Sequence, residues 1–239
     1  MTVVDQTDRV ILNLRERLLR GEFRPGERLA ELTLVPLLEA SRTPVRLALE
    51  RLAHEGLVDA MPAGGFRVRS FTPADIWDAI EIRGVLEGTA ARFAAERLES
   101  PDELGTMRAC LHEMERQVPG LVTAFVEYLE INDKLHRELW RLAKSPVLLR
   151  EIEAAAALPF AAPGALVFSA AEESETSRAS VIAVEHHRAM IEAIESREGA
   201  RAEALAREHS RVSRRNLERA LQDHEQFRRL PGGSLIAAS

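Results

Sequence analysis

Apolar residues recur at helical spacing along most of the chain, and interruptions of that spacing delimit the predicted elements. Three amphipathic stripes in the first 60 residues predict helices at about 6–20, at 30–38 and between Thr43 and Gly56. The Pro25-Gly26 turn separates the first two helices, and Gly56 ends the third. Short alternating runs at 57–61 and 66–70 flank a glycine-containing turn, which is typical of a β-hairpin.

From Thr72 onward the pattern predicts helices alone. Thr72-Pro73 and Ser100-Pro101 each combine a capping side chain with a first-turn proline, and acidic residues follow both. Residues 158–180 contain Pro159, Pro163 and Gly164 and predict a loop. The helices predicted in this region are 73–98, 101–117, 121–143, 146–157, 176–197 and 200–227.

These elements predict a mainly α protein of two domains. Three helices and a hairpin within 70 residues, the third helix basic at its start, indicate a winged helix-turn-helix over 1–70. An all-α helical-bundle domain is expected over 71–228, and the Pro-Gly-Gly run at 231–233 predicts a flexible tail at 229–239.

The start of the third helix carries unusual charge. Arg42, Thr43 and Arg46 crowd its first turn, where the helix dipole disfavours cations but attracts phosphates. This placement predicts a recognition helix that contacts duplex DNA. The plainer interpretation is that Arg46 forms only a surface ion pair with Glu50, one helical turn away.

Composition narrows the class of protein. The net charge of −6 does not favour nucleic-acid binding by itself, but residues 1–70 hold 11 arginines against 10 acidic residues. What matters for DNA is therefore local charge at the third helix. A single cysteine fits a reducing cytoplasm, and we expect a cytoplasmic protein with no membrane span because no apolar run is long enough.

Three histidines lie on apolar faces of three different predicted helices. His136 is one turn beyond Asn132 on an apolar stripe, and His187 and His209 share their stripes with aliphatic residues. Converging neutral imidazoles would form a transition-metal site, whereas each histidine taken alone is more often a satisfied core residue. The other four histidines are expected to be surface or packing residues: His54, His112, His186 and His224.

Four motifs in the first 70 residues resemble the GntR family of bacterial transcription regulators. They are Pro-Gly-x-Arg-Leu at 25–29, Ser-Arg-Thr-Pro-Val-Arg-x-Ala-Leu at 41–49, Arg-Leu-x-x-Glu-Gly-Leu-Val at 51–58, and the glycine turn before Phe66-x-Val68. Leu47 departs from the acidic residue that is commoner at its position. The resemblance implies that the residues in contact with operator DNA are Arg28, Ser41, Arg42, Thr43, Arg46 and Gly65.

The helical region resembles the FadR-type ligand-binding domain of that family, the FCD domain. The matching segments are Arg83-x-x-Leu86-Glu87, Asn132-x-x-x-His136, His187-Arg188-Ala189-Met190-Ile191 and Glu208-His209. The resemblance implies a divalent metal such as zinc or nickel, held by Asn132, His136, His187 and His209, which helps to bind a small carboxylate effector. Asn132 replaces the more usual aspartate and brings no negative charge.

Arg83 is a second predicted contact for the effector, although a simple pair with Glu87 one turn away explains the position of Arg83 on this helix face equally well.

Together these features predict a homodimeric DNA-binding regulator, a repressor, whose affinity for operator DNA responds to an organic acid. Two alternatives stay open. A metal-dependent hydrolase would need a general base beside the histidines, and the sequence offers only Glu87, which is distant from them. A helical interaction module would bind no metal.

Overall fold

The structure is a computed structural model that describes residues 6–118, 125–158, 161–163, 173–222, 227 and 232–236. Packing divides the chain into two compact units. The first comprises residues 1–76, 157–159 and 223–239, and the second comprises 77–156 and 160–222. The domain limits predicted from the sequence stay predictions, although both units contain the kinds of element expected of them.

The first unit begins with three helices. They are α1 (Gln6–Leu19), α2 (Glu31–Leu37) and α3 (Arg42–His54). The buried stripe of α1, Val10, Leu14 and Leu18, packs on α3, whose own apolar stripe is fully buried. Burial of about 2 kcal/mol per large aliphatic side chain is what holds these short helices, because isolated helices of this length are marginal.

A three-stranded antiparallel sheet completes this unit, in the order β1-β3-β2. Strands β2 (Val58–Ala60) and β3 (Phe66–Val68) form the predicted hairpin, in which Gly64 and Gly65 have φ of +87° and +89°. The third strand, β1 (Arg28–Leu29), pairs with β3 and was not predicted. The two residues of β1 are too few to show an alternation of polar and apolar side chains in the sequence. The strand is recognised only from its pairing with β3.

The second unit is helical throughout its described residues. Its helices pack around a core of leucine, isoleucine, methionine and alanine side chains. They are α4 (Pro73–Arg97), α5 (Gly105–Gln117), α6 (Phe125–Leu142), α7 (Pro146–Ala156), α8 (Glu173–Glu195) and α9 (Gly199–Ala220), with a 3₁₀ turn at Pro101–Leu104 before α5.

Helix starts follow the capping signals closely. The Thr72 hydroxyl accepts a hydrogen bond from the Asp75 amide, and Ser100 and Glu103 form a capping box ahead of α5. The exception is the third helix, whose start the sequence placed at Thr43: α3 begins at Arg42, and Ser41 holds the extended N-cap conformation without a side-chain hydrogen bond. A cap depends on one backbone conformation, and neighbouring Ser and Thr residues compete for it.

Two predicted boundaries in the second unit are wrong. Helix α8 begins at Glu173, three residues before its predicted start at 176 and within the predicted loop 158–180, and α9 ends at Ala220 rather than at 227. The polar start of α8 lacks an apolar stripe of its own, which is why its sequence resembles a loop.

The end of the chain also differs from expectation where the structure describes it. Of the predicted flexible tail 229–239, residues 232–236 are packed on the first unit: Leu235 and Ile236 are buried, and Phe71 forms a β-bridge with Ile236. The amide of Gly232 also donates to the carbonyl of Leu19. The prediction of a loose segment is therefore wrong for these five residues, because two apolar side chains follow the glycines.

Candidate nucleic-acid interface and metal centre

The first turn of α3 presents an exposed polar surface. Ser41, Arg42, Thr43 and Arg46 are exposed, while the next apolar residues, Pro44 and Val45, are buried against the rest of the unit. The helix is thus anchored by one face and offers the other, with its free amides and two arginines, to solvent. That combination suits phosphates and base edges.

The Arg46–Glu50 pair that the plainer interpretation requires is present. The Arg46 Nε lies 3.0 Å from Glu50 Oε1, and both side chains are largely exposed. An exposed pair at this spacing contributes only about 0.3–0.5 kcal/mol, so it does not prevent Arg46 from contacting another partner.

Of the other two residues expected at DNA, Gly65 lies in the hairpin turn and Arg28 lies on the neighbouring strand β1. A Cβ placed on Gly65 would come within 3.7 Å of the Arg28 guanidinium, so Arg28 extends from β1 along the tip of the turn. Both residues are exposed. Arg28 and Gly65 are therefore neighbours, a relation that β1 creates by pairing with β3 and that spacing along the chain does not reveal.

In the second unit, the three predicted histidines converge. His136 of α6, His187 of α8 and His209 of α9 each offer a ring nitrogen, and these three atoms lie within 4.8 Å of one another. All three side chains are buried. The Nε2 atoms of His136 and His187 are 3.3 Å apart. Two nitrogens bound at roughly 2.05 Å to one tetrahedral ion would also be about 3.3 Å apart.

Burial and the neighbouring imidazoles favour the neutral form of two of these histidines, His187 and His209. Desolvation lowers the pKa of His187 well below its usual value, and the nearby His136 lowers it further. Desolvation is also the main cause that lowers the pKa of His209, and the nearby His187 lowers it further. The Nδ1 atoms of His187 and His209 have no hydrogen-bond partner. Neutral buried imidazoles with unpaired nitrogens are the donor set that a divalent metal of intermediate softness prefers.

Glu87 is the important residue that the sequence interpretation missed. Its Oε1 lies 2.8 Å from His136 Nδ1 and accepts a hydrogen bond from the Trp140 indole at 3.0 Å. The expectation that Glu87 is distant from the histidines is therefore wrong, because α4 and α6 pack side by side. A carboxylate bound to Nδ1 directs Nε2 of His136 into the cluster, the usual arrangement for a metal-binding histidine.

Arg83 completes this network. Its guanidinium donates to Glu87 Oε2 at 2.6 Å and to the Ser213 hydroxyl at 3.3 Å. Burial alone would raise the pKa of Glu87, but Arg83 and His136 outweigh it and bring that pKa to about 2. The pair with Glu87, one of the two explanations of Arg83, is present. Its other predicted role, effector contact, stays a prediction.

Asn132 lies on the wall of a small cavity that His209 also lines. Its side chain is buried, whereas Asp133 is exposed and paired with Arg137 at 2.7 Å. Asp133 therefore faces away from the cluster, as its position on the helix indicates. Ligation by Asn132 stays a prediction.

The other four histidines are not assigned to the metal site. His186 is half-buried with its ring 5.9 Å from that of His209, and His54 and His112 are exposed. His224 lies outside the described residues.

Two family models match the chain. Residues 6–68 match the bacterial regulatory proteins of the gntR family, and residues 78–212 match the FCD domain. None of the described helices is both long and apolar enough to cross a membrane.

Curated relatives agree with these matches. The Nta operon transcriptional regulator of Aminobacter aminovorans is 35% identical over 130 residues, which are 54% of this chain and 60% of that protein. The probable D-xylose utilization operon transcriptional repressor of Paenarthrobacter nicotinovorans is 28% identical over 185 residues, or 74% of this chain and 73% of that one. The match thus spans less than two thirds of the Aminobacter regulator.

A solved structure has the same fold. Escherichia coli McbR/YncC superposes with a TM-score of 0.66, covering 92% of this chain and 100% of that chain at 22% identity. At that identity the likeness concerns the fold alone.

Proposed function

Because this chain belongs to the GntR family of bacterial transcription regulators and carries an FCD domain, we propose that it is a homodimeric repressor whose operator affinity falls when a small organic acid binds at a metal site in its second unit. The observation that carries the proposal is the convergence of three buried histidines beside a cavity that His209 and other polar side chains line. The Paenarthrobacter relative is itself named a probable repressor.

The proposed DNA surface comprises Ser41, Arg42, Thr43 and Arg46 at the start of α3, with Gly65 in the hairpin turn and Arg28 on β1. Its support is that all six residues are exposed while the rest of their elements are anchored in a core. A recognition helix reads bases in the major groove, and an adjoining hairpin contacts the backbone. One such helix reads only a few base pairs, which is why we propose a two-fold symmetric dimer on paired half-sites.

Replacing Arg46 with alanine is expected to weaken specific operator binding by about 1–3 kcal/mol, roughly 5- to 150-fold, because a bidentate contact to guanine is lost. Fluorescence anisotropy with a duplex selected from a random library measures this. Arg20→Ala is the matched control: Arg20 also forms an i,i+4 pair, with Glu16, and its side chain is 67% exposed, as is that of Arg46. Equal operator affinity of the Arg46→Ala protein and the wild type would remove Arg46 from the proposed surface.

For the metal, the residues that would hold it are His136, His187 and His209, with the amide oxygen of Asn132 as the proposed fourth ligand. A divalent ion there supplies positive charge and room for an incoming carboxylate oxygen. Glu87 orients His136, Arg83 neutralises Glu87, and the surrounding core excludes bulk water. The donor set is uncharged, so the charge of the ion stays available to an anionic ligand.

Regulation is tested by measuring operator affinity in three states of the same protein: stripped of metal, loaded with zinc, and loaded with zinc plus an organic acid. We expect the acid to weaken binding to the selected duplex by about 5- to 150-fold in the zinc-loaded protein only, since allosteric coupling is typically about 1–3 kcal/mol. If every acid leaves operator affinity unchanged while zinc is bound, the proposed control mechanism is wrong. Tighter operator binding would indicate an activator.

The hydrolase alternative requires a free general base. Glu87 is the carboxylate nearest His136, but its two oxygens are occupied by His136, Trp140 and Arg83, and its pKa of about 2 makes it a weak base. A carboxylate held in this way orients a histidine better than it activates water. The interaction-module alternative differs from the proposed function in the metal content of the purified protein, because such a module would bind no metal.

A further inference from the structure

The cavity beside the histidine cluster is lined by polar side chains set among apolar ones. The centre of a water molecule can move through about 30 Å³ of it, and the full cleft, including its solvent-open part, measures about 360 Å³. Among the lining residues that the structure describes there is no carboxylate: they are Tyr128, Asn132, Ser180, His209, Ser213 and Asn216, together with Ala179, Ala183 and Val212.

These residues form layers along three helices. On α6, Tyr128 lies eight residues before His136, and on α8, Ser180 lies seven residues before His187. Asn216 lies seven residues after His209 on α9. At 1.5 Å per residue, these positions are roughly 10–12 Å along each helix from the histidines. The cleft thus has a metal-binding end and a distal end, two helical turns apart.

The distal end holds two buried hydroxyl groups that lie close enough to influence each other but form no well-shaped hydrogen bond. Tyr128 is 1% exposed and Ser180 is 2% exposed, yet neither oxygen makes a hydrogen bond of normal geometry. Desolvation raises the pKa of Tyr128 to about 12, with a smaller opposing effect of the Ser180 hydroxyl, so the phenol stays a proton donor at neutral pH. Leaving a buried hydroxyl without a well-formed hydrogen bond is unfavourable, and an oxygen of a bound ligand would supply that bond.

We propose that Tyr128 and Ser180 form a second recognition point, so that the effector is a short acid with an oxygen-bearing group at each end, such as a dicarboxylate or an ω-hydroxy acid. This inference rests on the proposed function, because the first carboxylate is taken to bind at the histidine cluster. Two hydroxyl donors and the amide of Asn216 favour an acceptor oxygen at the distal end, and none of the described lining residues carries a carboxylate that would repel an anion.

The test compares three four-carbon acids by isothermal titration calorimetry on the zinc-loaded full chain: butyrate, 4-hydroxybutyrate and succinate. We expect the two acids with a distal oxygen to bind at least about 10-fold tighter than butyrate, since one or two hydrogen bonds to buried groups are gained. In Tyr128→Phe, and to a smaller extent in Ser180→Ala, this preference falls toward 1 while the butyrate affinity is unchanged.

Ser210→Ala is the matched control for Ser180→Ala. Ser210 is equally buried, at 2% exposure, but its hydroxyl donates to the Arg207 carbonyl and it lies outside the cavity lining. Both phenylalanine and alanine keep the fold close to wild type, which thermal melting of each variant verifies.

Two other results overturn the inference, and they differ in what they say of the proposed function. If wild-type protein binds all three acids equally, or if Tyr128→Phe weakens all three alike, the distal recognition point is wrong while the metal-centred site stands. If none of the three acids binds the zinc-loaded protein at all, both the inference and the effector site proposed above are wrong.

Discussion

Replacing His136, His187 or His209 with alanine is expected to abolish stoichiometric zinc binding. Structural zinc sites with four ligands bind with about 10–16 kcal/mol, so each ligand accounts for roughly 3 kcal/mol, or about 100-fold in affinity. The three nitrogens lie within 4.8 Å of one another, so none can be replaced by a neighbouring residue without moving a helix. Elemental analysis of dialysed protein and competition with a chromogenic chelator measure the loss.

His186→Ala is the matched control for this prediction. His186 adjoins His187 on α8 and is half-buried, but its ring is 5.9 Å from that of His209 and it is not one of the three converging side chains. It should keep full metal content. Wild-type protein that contains no metal and takes none up, or variants that retain it equally, would leave the histidines as core residues and favour the interaction module.

Thermal melting separates loss of metal from loss of fold. Saturating zinc at about 100 times its Kd should stabilise the wild type by about 2.7 kcal/mol, because only the folded chain presents the site. The alanine variants should show no such gain, although their metal-free forms melt close to the metal-free wild type apart from the cost of a smaller buried side chain.

Asn132→Asp adds the missing negative charge and should tighten zinc binding if residue 132 is a ligand.

Replacing Glu87 with alanine is expected to destabilise the second unit by about 3–5 kcal/mol. The substitution leaves the Arg83 guanidinium buried at 1% exposure with only Ser213 as a partner, and it removes the acceptor for Trp140 and His136. Urea unfolding followed by far-UV circular dichroism measures the loss. Zinc affinity should also fall about 10- to 100-fold, since the second partner of His136 is gone.

Glu96→Ala on the same helix is the matched control. Glu96 pairs with Arg92 at the same i,i+4 spacing, but both side chains are exposed, so its loss should cost less than about 1 kcal/mol. The double variant Arg83→Met with Glu87→Gln removes the buried charges and keeps an acceptor for Trp140 and His136. It should regain most of the lost stability. A cost for Glu87→Ala no larger than for Glu96→Ala would contradict the role assigned to this network.

The two explanations of Arg83 separate in the same variants. If Arg83 only neutralises Glu87, the double variant should bind the organic acid as the wild type does. If Arg83 also reaches the ligand through the Ser213 side of the cavity, acid binding should stay weak even when stability and zinc binding have returned. Measuring both the acid affinity and the zinc affinity of the double variant therefore distinguishes the two roles proposed for Arg83.

The sequence predicted most helices to within a few residues, because helical periodicity and capping are local. Thr72-Pro73 and Ser100-Pro101 illustrate this: cap, proline and acid lie within one turn, and the structure contains both starts. Local signals failed where an element depends on a partner. Strand β1 exists because β3 pairs with it, and residues 232–236 are packed because α1 and Phe71 lie beside them.

The same division applies to the functional residues. The sequence by itself determined that Arg42 and Arg46 lie at the exposed start of an anchored helix, and that His136, His187 and His209 lie on apolar faces, because position on a helix follows from spacing. Only the tertiary structure decided that the three histidines meet, that Glu87 binds His136, and that Tyr128 and Ser180 lie unpaired beside the same cavity. Those relations join residues 22 to 73 positions apart, and they depend on how α4, α6, α8 and α9 pack, which no local pattern records.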